Sequence, residues 1–241
     1  SAPRAACGEL EPVYIFPMSP SRRAPRRAAR RTLAAKDVRV FTKGSPYKGY
    51  FRIDRYRLSH RLFDGGWSAP MTREVFERGH AVGVLLYDPD RDVVVLIEQF
   101  RIGAYAMQPS LRFRRRVSPW LMEVVAGIIE KGESPKDVAR REAREEAGCE
   151  VLDLVPICDY MVTPGGSTET VILFCGRVRA PRHGSIHGID AEHEDIRVHV
   201  VPSGRALEWL DSGAACNSMI VIALQWFRLN RDSLRKRWRR A

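Results

Sequence analysis

Between Asp37 and Phe76 the chain alternates polar and apolar residues in short segments, as in Tyr50-Phe51-Arg52-Ile53-Asp54-Arg55-Tyr56-Arg57-Leu58. A period of two is the pattern of a half-buried strand. Gly65-Gly66 supplies a turn, so residues 37–77 are expected to form a small antiparallel β unit. Two apolar runs follow, His80 to Tyr87 and Val93 to Phe100, on either side of the turn sequence Asp88-Pro89-Asp90-Arg91. A third, Trp120 to Ala126, reads as one more strand. Over residues 134–147 the spacing becomes helical. Ser134 is placed to cap that helix, with Pro135 at its first position, Asp137 in its first turn and Gly148 as its stop. Strands are then expected near 151–160, 170–179 and 195–201, and helices near 203–211 and 217–238. This order predicts an α/β sandwich, a mixed sheet with helices on both sides, rather than a Rossmann fold. The expected division is an extension at 1–36, a β domain at 37–77 and the sandwich at 78–241.

Charge changes this picture at three places. The chain has 241 residues and a formal charge of +11. Residues 1–36 carry eight basic and two acidic side chains. Arg112, Arg114, Arg115 and Arg116 crowd one loop, and the last ten residues set five basic side chains against Asp232. These stretches account for more than the whole excess, so the body of the protein is slightly acidic and nucleic acid is not a required partner. The Arg- and Pro-rich residues 1–36 show no sustained period and are expected to lack a fixed fold. Hydrophobic residues make up 44%, enough for a packed core, yet no apolar run reaches the roughly 18 residues of a membrane span. Five cysteines without a C-x-x-C pattern give neither a zinc site nor a disulfide framework, which fits a reducing cytoplasm. His60, His80, His183, His187 and His199 show no metal-ligand spacing.

The chemistry concentrates between Gly127 and Cys149. Glu142, Glu145 and Glu146 fall at i, i+3 and i+4, on one helix face, where like charges repel. A cation would relieve that repulsion, and carboxylate oxygens completed by water suit Mg2+ or Mn2+. Glu133, just before the helix, can approach the same face. A hard cation among carboxylates with a basic neighbour is equipment for hydrolysing a pyrophosphate. Alone, Arg141 and Glu145 would make an ordinary salt-bridged helix; the surrounding residues make the difference.

Gly127, Glu133, Arg141, Glu142, Glu145, Glu146 and Gly148 match the Nudix box, G-x5-E-x7-R-E-U-x-E-E-x-G-U, in identity and spacing. The chain thus resembles the Nudix hydrolases, with Ala143 and Cys149 smaller than the bulky aliphatics usual at two packing positions. The resemblance implies a loop-helix-loop on an α/β/α sandwich. It implies two or three Mg2+ ions, with Mn2+ as substitute, ligated by Glu142 and Glu146, by Glu145 directly or through water, and by the carbonyl of Ala126. Arg141 is expected to pair with Glu133 and orient the glutamates.

Segments outside the box resemble the bacterial ADP-ribose pyrophosphatases of that family. They are Arg73 to His80, Val95 to Arg101, Pro164 to Glu169 and Ala191 to Ile196. Pro164, about fifteen residues beyond the box, marks that subgroup. Gly165 and Gly166 would let backbone approach the ligand, with Glu169 at the loop's edge. Glu194 is the implied general base on a mobile loop, Glu192 its rival, and His193 ranks below both. Arg73 and Arg101 are candidates for bidentate phosphate contacts. Tyr50 is a candidate to stack on adenine. In the family the N-terminal β unit reaches across a homodimer. The expected reaction is hydrolysis of ADP-ribose to AMP and ribose 5-phosphate. Rival readings are a GDP-mannose or other sugar-nucleotide pyrophosphatase, a non-catalytic ADP-ribose sensor, and a nucleic-acid-binding protein. A sensor should have lost box glutamates, and a regulator should carry helix-turn-helix patterning that residues 1–36 lack.

Overall fold

The computed structural model describes residues 32–107, 118–189, 191 and 193–239. Most of the basic extension, the body of the Arg-rich loop, and Glu192 lie outside the described residues. Two compact units are present. One holds the described residues up to Arg39 together with Ser59–Ala69; the other holds Val40–Leu58 and everything from Pro70 on.

Strands β1 (Val38–Lys48), β2 (Arg52–His60) and β3 (Met71–Glu77) form a separate sheet in that order. β2 and β3 run antiparallel from Arg52 opposite Glu77 to Leu58 opposite Met71. In the smaller unit the guanidinium groups of Arg39 and Arg61 lie 3.8 and 4.5 Å from the ring centre of Trp67. There the Arg61 N–H donates to the Asp37 carbonyl.

The larger sheet holds eight strands: β4 (Ala81–Asp88), β5 (Val93–Phe100), β6 (Trp120–Glu123), β7 (Val125–Ile128), β8 (Asp153–Met161), β9 (Thr170–Arg177), β10 (Ile186–His187) and β11 (Ile196–Pro202). Its main path runs β10-β11-β5-β4-β9-β8, with β4 and β9 the parallel pair in a mixed sheet. Among the described residues four α-helices accompany it: α1 (Ile102–Ala106), α2 (Pro135–Ala147), α3 (Ser203–Ser212) and α4 (Ser218–Arg239).

The alternation of the central strands explains the layers. Val82, Val84 and Leu86 of β4, with Val95 and Ile97 of β5, share a core with Val138, Ala139, Ala143 and Ala147 of α2. The intervening Leu85, Tyr87, Val94 and Leu96 pack instead with Ala206 of α3 and Ile220, Leu224, Phe227 and Trp238 of α4. Continuously apolar strands are what a sheet covered on both faces requires. Pro156 is tolerated because β8 lies at the sheet's edge, where a slip in register falls between Pro156 and Cys158.

The expected single strand from Trp120 to Ala126 is two strands. β6 pairs with β5, and β7 pairs with β4. Val124 at the break is buried, so the chain changes partners without leaving the core. An apolar run does not show a change of partner, which tertiary packing decides. The five-residue α1 and the two-residue β10 are too short to leave a periodic signal.

The turn after β4 is fastened to the last helix. Asp92, at φ 56°, accepts the Tyr87 hydroxyl at 2.9 Å and Arg231 Nε at 3.0 Å, with Arg235 Nη1 at 3.3 Å. These partners, Arg231 foremost, hold the Asp92 carboxyl down to about 2. A depressed folded-state value means stability that is complete above the ordinary aspartate range near about 4 and lost as pH falls toward 2. Asp92→Asn, which keeps a residue tolerant of positive φ, should cost about 1–2 kcal/mol at pH 7. In urea denaturation its deficit against wild type should shrink as pH drops from 4 to 2. A deficit independent of pH would contradict the charge assignment.

Candidate active site

The site is organised by α2. Ser134 Oγ accepts the Asp137 N–H at 3.3 Å, Pro135 stands at the first position, and Gly148 ends the helix at φ 60°. A side chain on Gly148 would run into the His187 ring. Both the positive φ and that close approach favour glycine here. Val138, Ala139, Ala143 and Ala147 anchor the helix to the sheet, and the two short box residues, Ala143 and Cys149, are both buried. Their small size is therefore accommodated in the packing.

Arg141 gathers the acidic residues. It makes a forked pair with Glu133, Nε to Oε1 at 3.0 Å and Nη2 to Oε2 at 3.2 Å. Its Nη1 donates to Glu142 at 2.7 Å and Glu145 at 3.0 Å. Glu133 also accepts the Glu130 N–H, which holds the turn before the helix.

Glu146 behaves differently. It is 3% exposed, and its Oε2 accepts the Ala126 N–H at 2.9 Å. Burial pushes its carboxyl up to about 8; Glu142 and Glu194 add repulsion, while the Ala126 N–H and Arg101 pull the other way. Glu142 is raised as well, first by burial and then by Glu145 and Glu194, against the pull of Arg141. A side chain on Gly127 would overlap the Glu142 carboxylate, which would have to shift.

Glu194 is tied down by the Ile189 N–H, which donates to its Oε2 at 3.2 Å, and the Gly188 N–H bonds to the Glu145 carbonyl. Gly188, at φ 108°, leaves no room for a side chain beside Glu194. The loop before β11 is thus joined to α2, and Glu194 is close enough to raise both Glu142 and Glu146. Arg101 stands at the start of α1, with its Nε 2.7 Å from Glu123 Oε2, and its charge also reaches Glu146.

Of the other expected residues, Tyr50 lines a pocket of about 570 Å³, together with Phe51, Arg78 and Ile128. Ile128 follows Gly127, so this pocket adjoins the box. Tyr50 is 88% exposed and meets Phe51 edge-on, and Phe51 meets Phe76. The Pro164–Gly166 loop abuts β3, where the Phe76 N–H donates to the Gly166 carbonyl at 2.8 Å. Glu169 is buried and pairs with Arg78 at 2.8 Å, so it faces an arginine. Arg73 lies on β3 with Nη1 on the Thr72 carbonyl; no contact among the described residues links it to the glutamates.

Sequence reasoning passed over Arg78 and Glu123. Arg78 lies within a segment already singled out, beside Gly79 at φ 86°. Glu123 is the lone acid in an apolar run, which is itself a signal.

The donors suit a hard cation: carboxylate oxygens, one of them deeply buried, beside backbone at Ala126. Among the described residues no group of three or more His, Cys, Asp and Glu side chains surrounds a common point; Glu142 and Glu145 share Arg141 instead. No described helix is long and apolar enough to cross a membrane.

Comparison with known proteins agrees with this arrangement. The NUDIX domain model matches residues 77–215. An ADP-ribose pyrophosphatase of Escherichia coli is 46% identical over 207 residues, covering 86% of this chain and 95% of its own. One from Haemophilus influenzae is 42% identical over 206 residues, covering 86% and 93%. A GDP-mannose pyrophosphatase of Yersinia pestis is 31% identical over 183 residues, covering 76% and 87%. A crystal structure of an ADP compounds hydrolase, at 14% identity, shares the fold with a TM-score of 0.58 over 82% of this chain and 97% of its own. A complete box on the helix that carries its glutamates, in a mixed sheet covered on both faces and matched by the domain model over more than half its length, places the chain in the Nudix family, as a pyrophosphatase.

Proposed function

We propose that this enzyme hydrolyses ADP-ribose to AMP and ribose 5-phosphate. One observation carries the substrate: the nearly full-length likeness to ADP-ribose pyrophosphatases exceeds that to a GDP-mannose pyrophosphatase by fifteen points of identity. In the reaction a water oxygen bonds to one phosphorus, the bridging P–O bond breaks, and the two phosphate monoesters separate. Glu194 accepts the proton from water, with Glu192 as the alternative base. Glu142, Glu146 and Glu145, with the Ala126 carbonyl, would hold Mg2+, two or three ions with Mn2+ as substitute. When bound, these would neutralise phosphate oxygens and acidify water. Arg141 orients the glutamates. Arg101 and Arg73 contact the diphosphate, and Tyr50 stacks on adenine. Gly165 and Gly166 leave room for the ligand, and Glu169 acts through Arg78.

Residues 37–77 serve as a β domain that pairs two copies into a homodimer and contributes to substrate contacts, with residues 78–241 as the catalytic domain. The free thiols of Cys149, Cys158 and Cys175 support a cytoplasmic setting. A panel of nucleoside diphosphate derivatives assayed with Mg2+ tests the reading. Base-edge hydrogen bonding left unpaired by the wrong base discriminates strongly, so kcat/KM should favour ADP-ribose over GDP-mannose by well over about tenfold. Equal or better turnover of GDP-mannose would replace the substrate and leave the mechanism standing.

A further inference from the structure

Arg101 faces a hazard that its position creates. Its charge reaches the buried Glu146, and Glu142 lies next to Glu146. Left free, a guanidinium on a flexible stem would settle onto these carboxylates, spending its donors there and competing with any cation. In the structure it does not. Its Nε is held by Glu123 at 2.7 Å, and its side chain stays 43% exposed. Among the described residues no other acceptor of the guanidinium is found, which leaves its Nη groups as donors for a ligand.

Glu123 is built to do this. It lies on β6 opposite Ile97, whose side chain packs in the core under α2, and directly opposed residues share a face of the sheet. Its two oxygens are separately occupied. Oε2 takes Arg101, and Oε1 takes Asn217 Nδ2 at 3.2 Å. Asn217 is itself fixed, donating to the Met122 carbonyl and accepting the Ile220 N–H as α4 begins. A nearly buried carboxylate is costly unless paired, and here the pairing leads from a helix start to a single arginine.

We propose that Glu123 is a positioning residue for Arg101, holding the guanidinium off the box glutamates so that its Nη pair meets the substrate diphosphate. The inference rests on the reading of Arg101 as a diphosphate contact.

The test is a double-mutant cycle on the full chain, read by ADP-ribose kinetics and by calorimetric binding of a methylene-bridged ADP-ribose analogue without divalent cation. Glu123→Gln keeps the shape and loses the charge. It should raise KM and the analogue Kd about tenfold, on the scale of one charge-assisted hydrogen bond, with kcat within about threefold. Arg101→Ala should raise both at least as much. The double variant should match Arg101→Ala, because Glu123 acts only through that side chain. If Glu123→Gln does not fold, Glu123→Asp keeps the charge on a shorter arm and carries the same cycle. Additive penalties, or an unmoved KM in the Glu123 variant, would overturn the proposal. An unmoved KM in Arg101→Ala would overturn it together with the diphosphate role. Failure of wild-type enzyme to turn over ADP-ribose would instead strike the substrate reading.

Discussion

Replacing Glu146 by Gln should lower kcat by at least about 10²-fold, the scale of losing an electrostatic contact made in the transition state, while the protein stays folded. The two halves of this expectation share one cause. Glu146 is buried against Ala126, and burial pushes its carboxyl up to about 8. Such a carboxylate is ionised at a cost that the Ala126 N–H and Arg101 offset in part and a bound cation would offset further. Gln has the same length, and its amide oxygen can still accept the Ala126 N–H at the place of Oε2. Thermal unfolding without divalent cation should therefore be unchanged or higher in the variant. Near-normal turnover, or a collapse of stability alongside the loss of rate, would remove Glu146 from the chemistry.

The second large effect is expected at a residue with no side chain. Gly127→Ala would place a methyl group onto the Glu142 carboxylate. The backbone there is paired in β7, with Gly127 opposite Val82 of β4, and is not free to retreat. Glu142 must swing away, breaking its 2.7 Å contact with Arg141. A displacement of about 1 Å in a reacting constellation can cost about 10²-fold, so kcat should fall on that scale. Glu142 is only 13% exposed, and burial already disfavours its charge, so leaving that place should move the unfolding midpoint little. Unchanged kcat would mean that the glycine serves only the backbone and that the position of Glu142 is uncritical.

These two residues also mark how far the sequence could be read. Seven residues of the box stand at fixed offsets within one loop and helix, so local spacing alone brings Glu133, Arg141 and the three glutamates together. The layers were legible for a similar reason. Runs such as Ala81 to Tyr87 are apolar at every position, which only a sheet covered on both faces explains.

What escaped depends on partners remote in sequence. β6 and β7 read as one strand because Val124, where the chain exchanges β5 for β4, is as apolar as its neighbours. Arg73 is a phosphate candidate in the sequence and Arg78 is not, yet Arg78 pairs with Glu169 across ninety-one positions and Arg73 bonds within its own strand. Glu123 was passed over because its partners, Arg101 and Asn217, come from opposite ends of the domain. Gly127 fits the box pattern as a letter, while its reason, the space needed by Glu142, belongs to the folded chain.

Whether the chain cleaves ADP-ribose is read by product analysis after mixing purified enzyme with ADP-ribose and Mg2+. AMP and ribose 5-phosphate should appear in equal amounts over multiple turnovers per chain, and at least about 10²-fold more slowly with Glu146→Gln under the same conditions. Binding of ADP-ribose without release of either phosphate ester would contradict cleavage and make this protein a sensor.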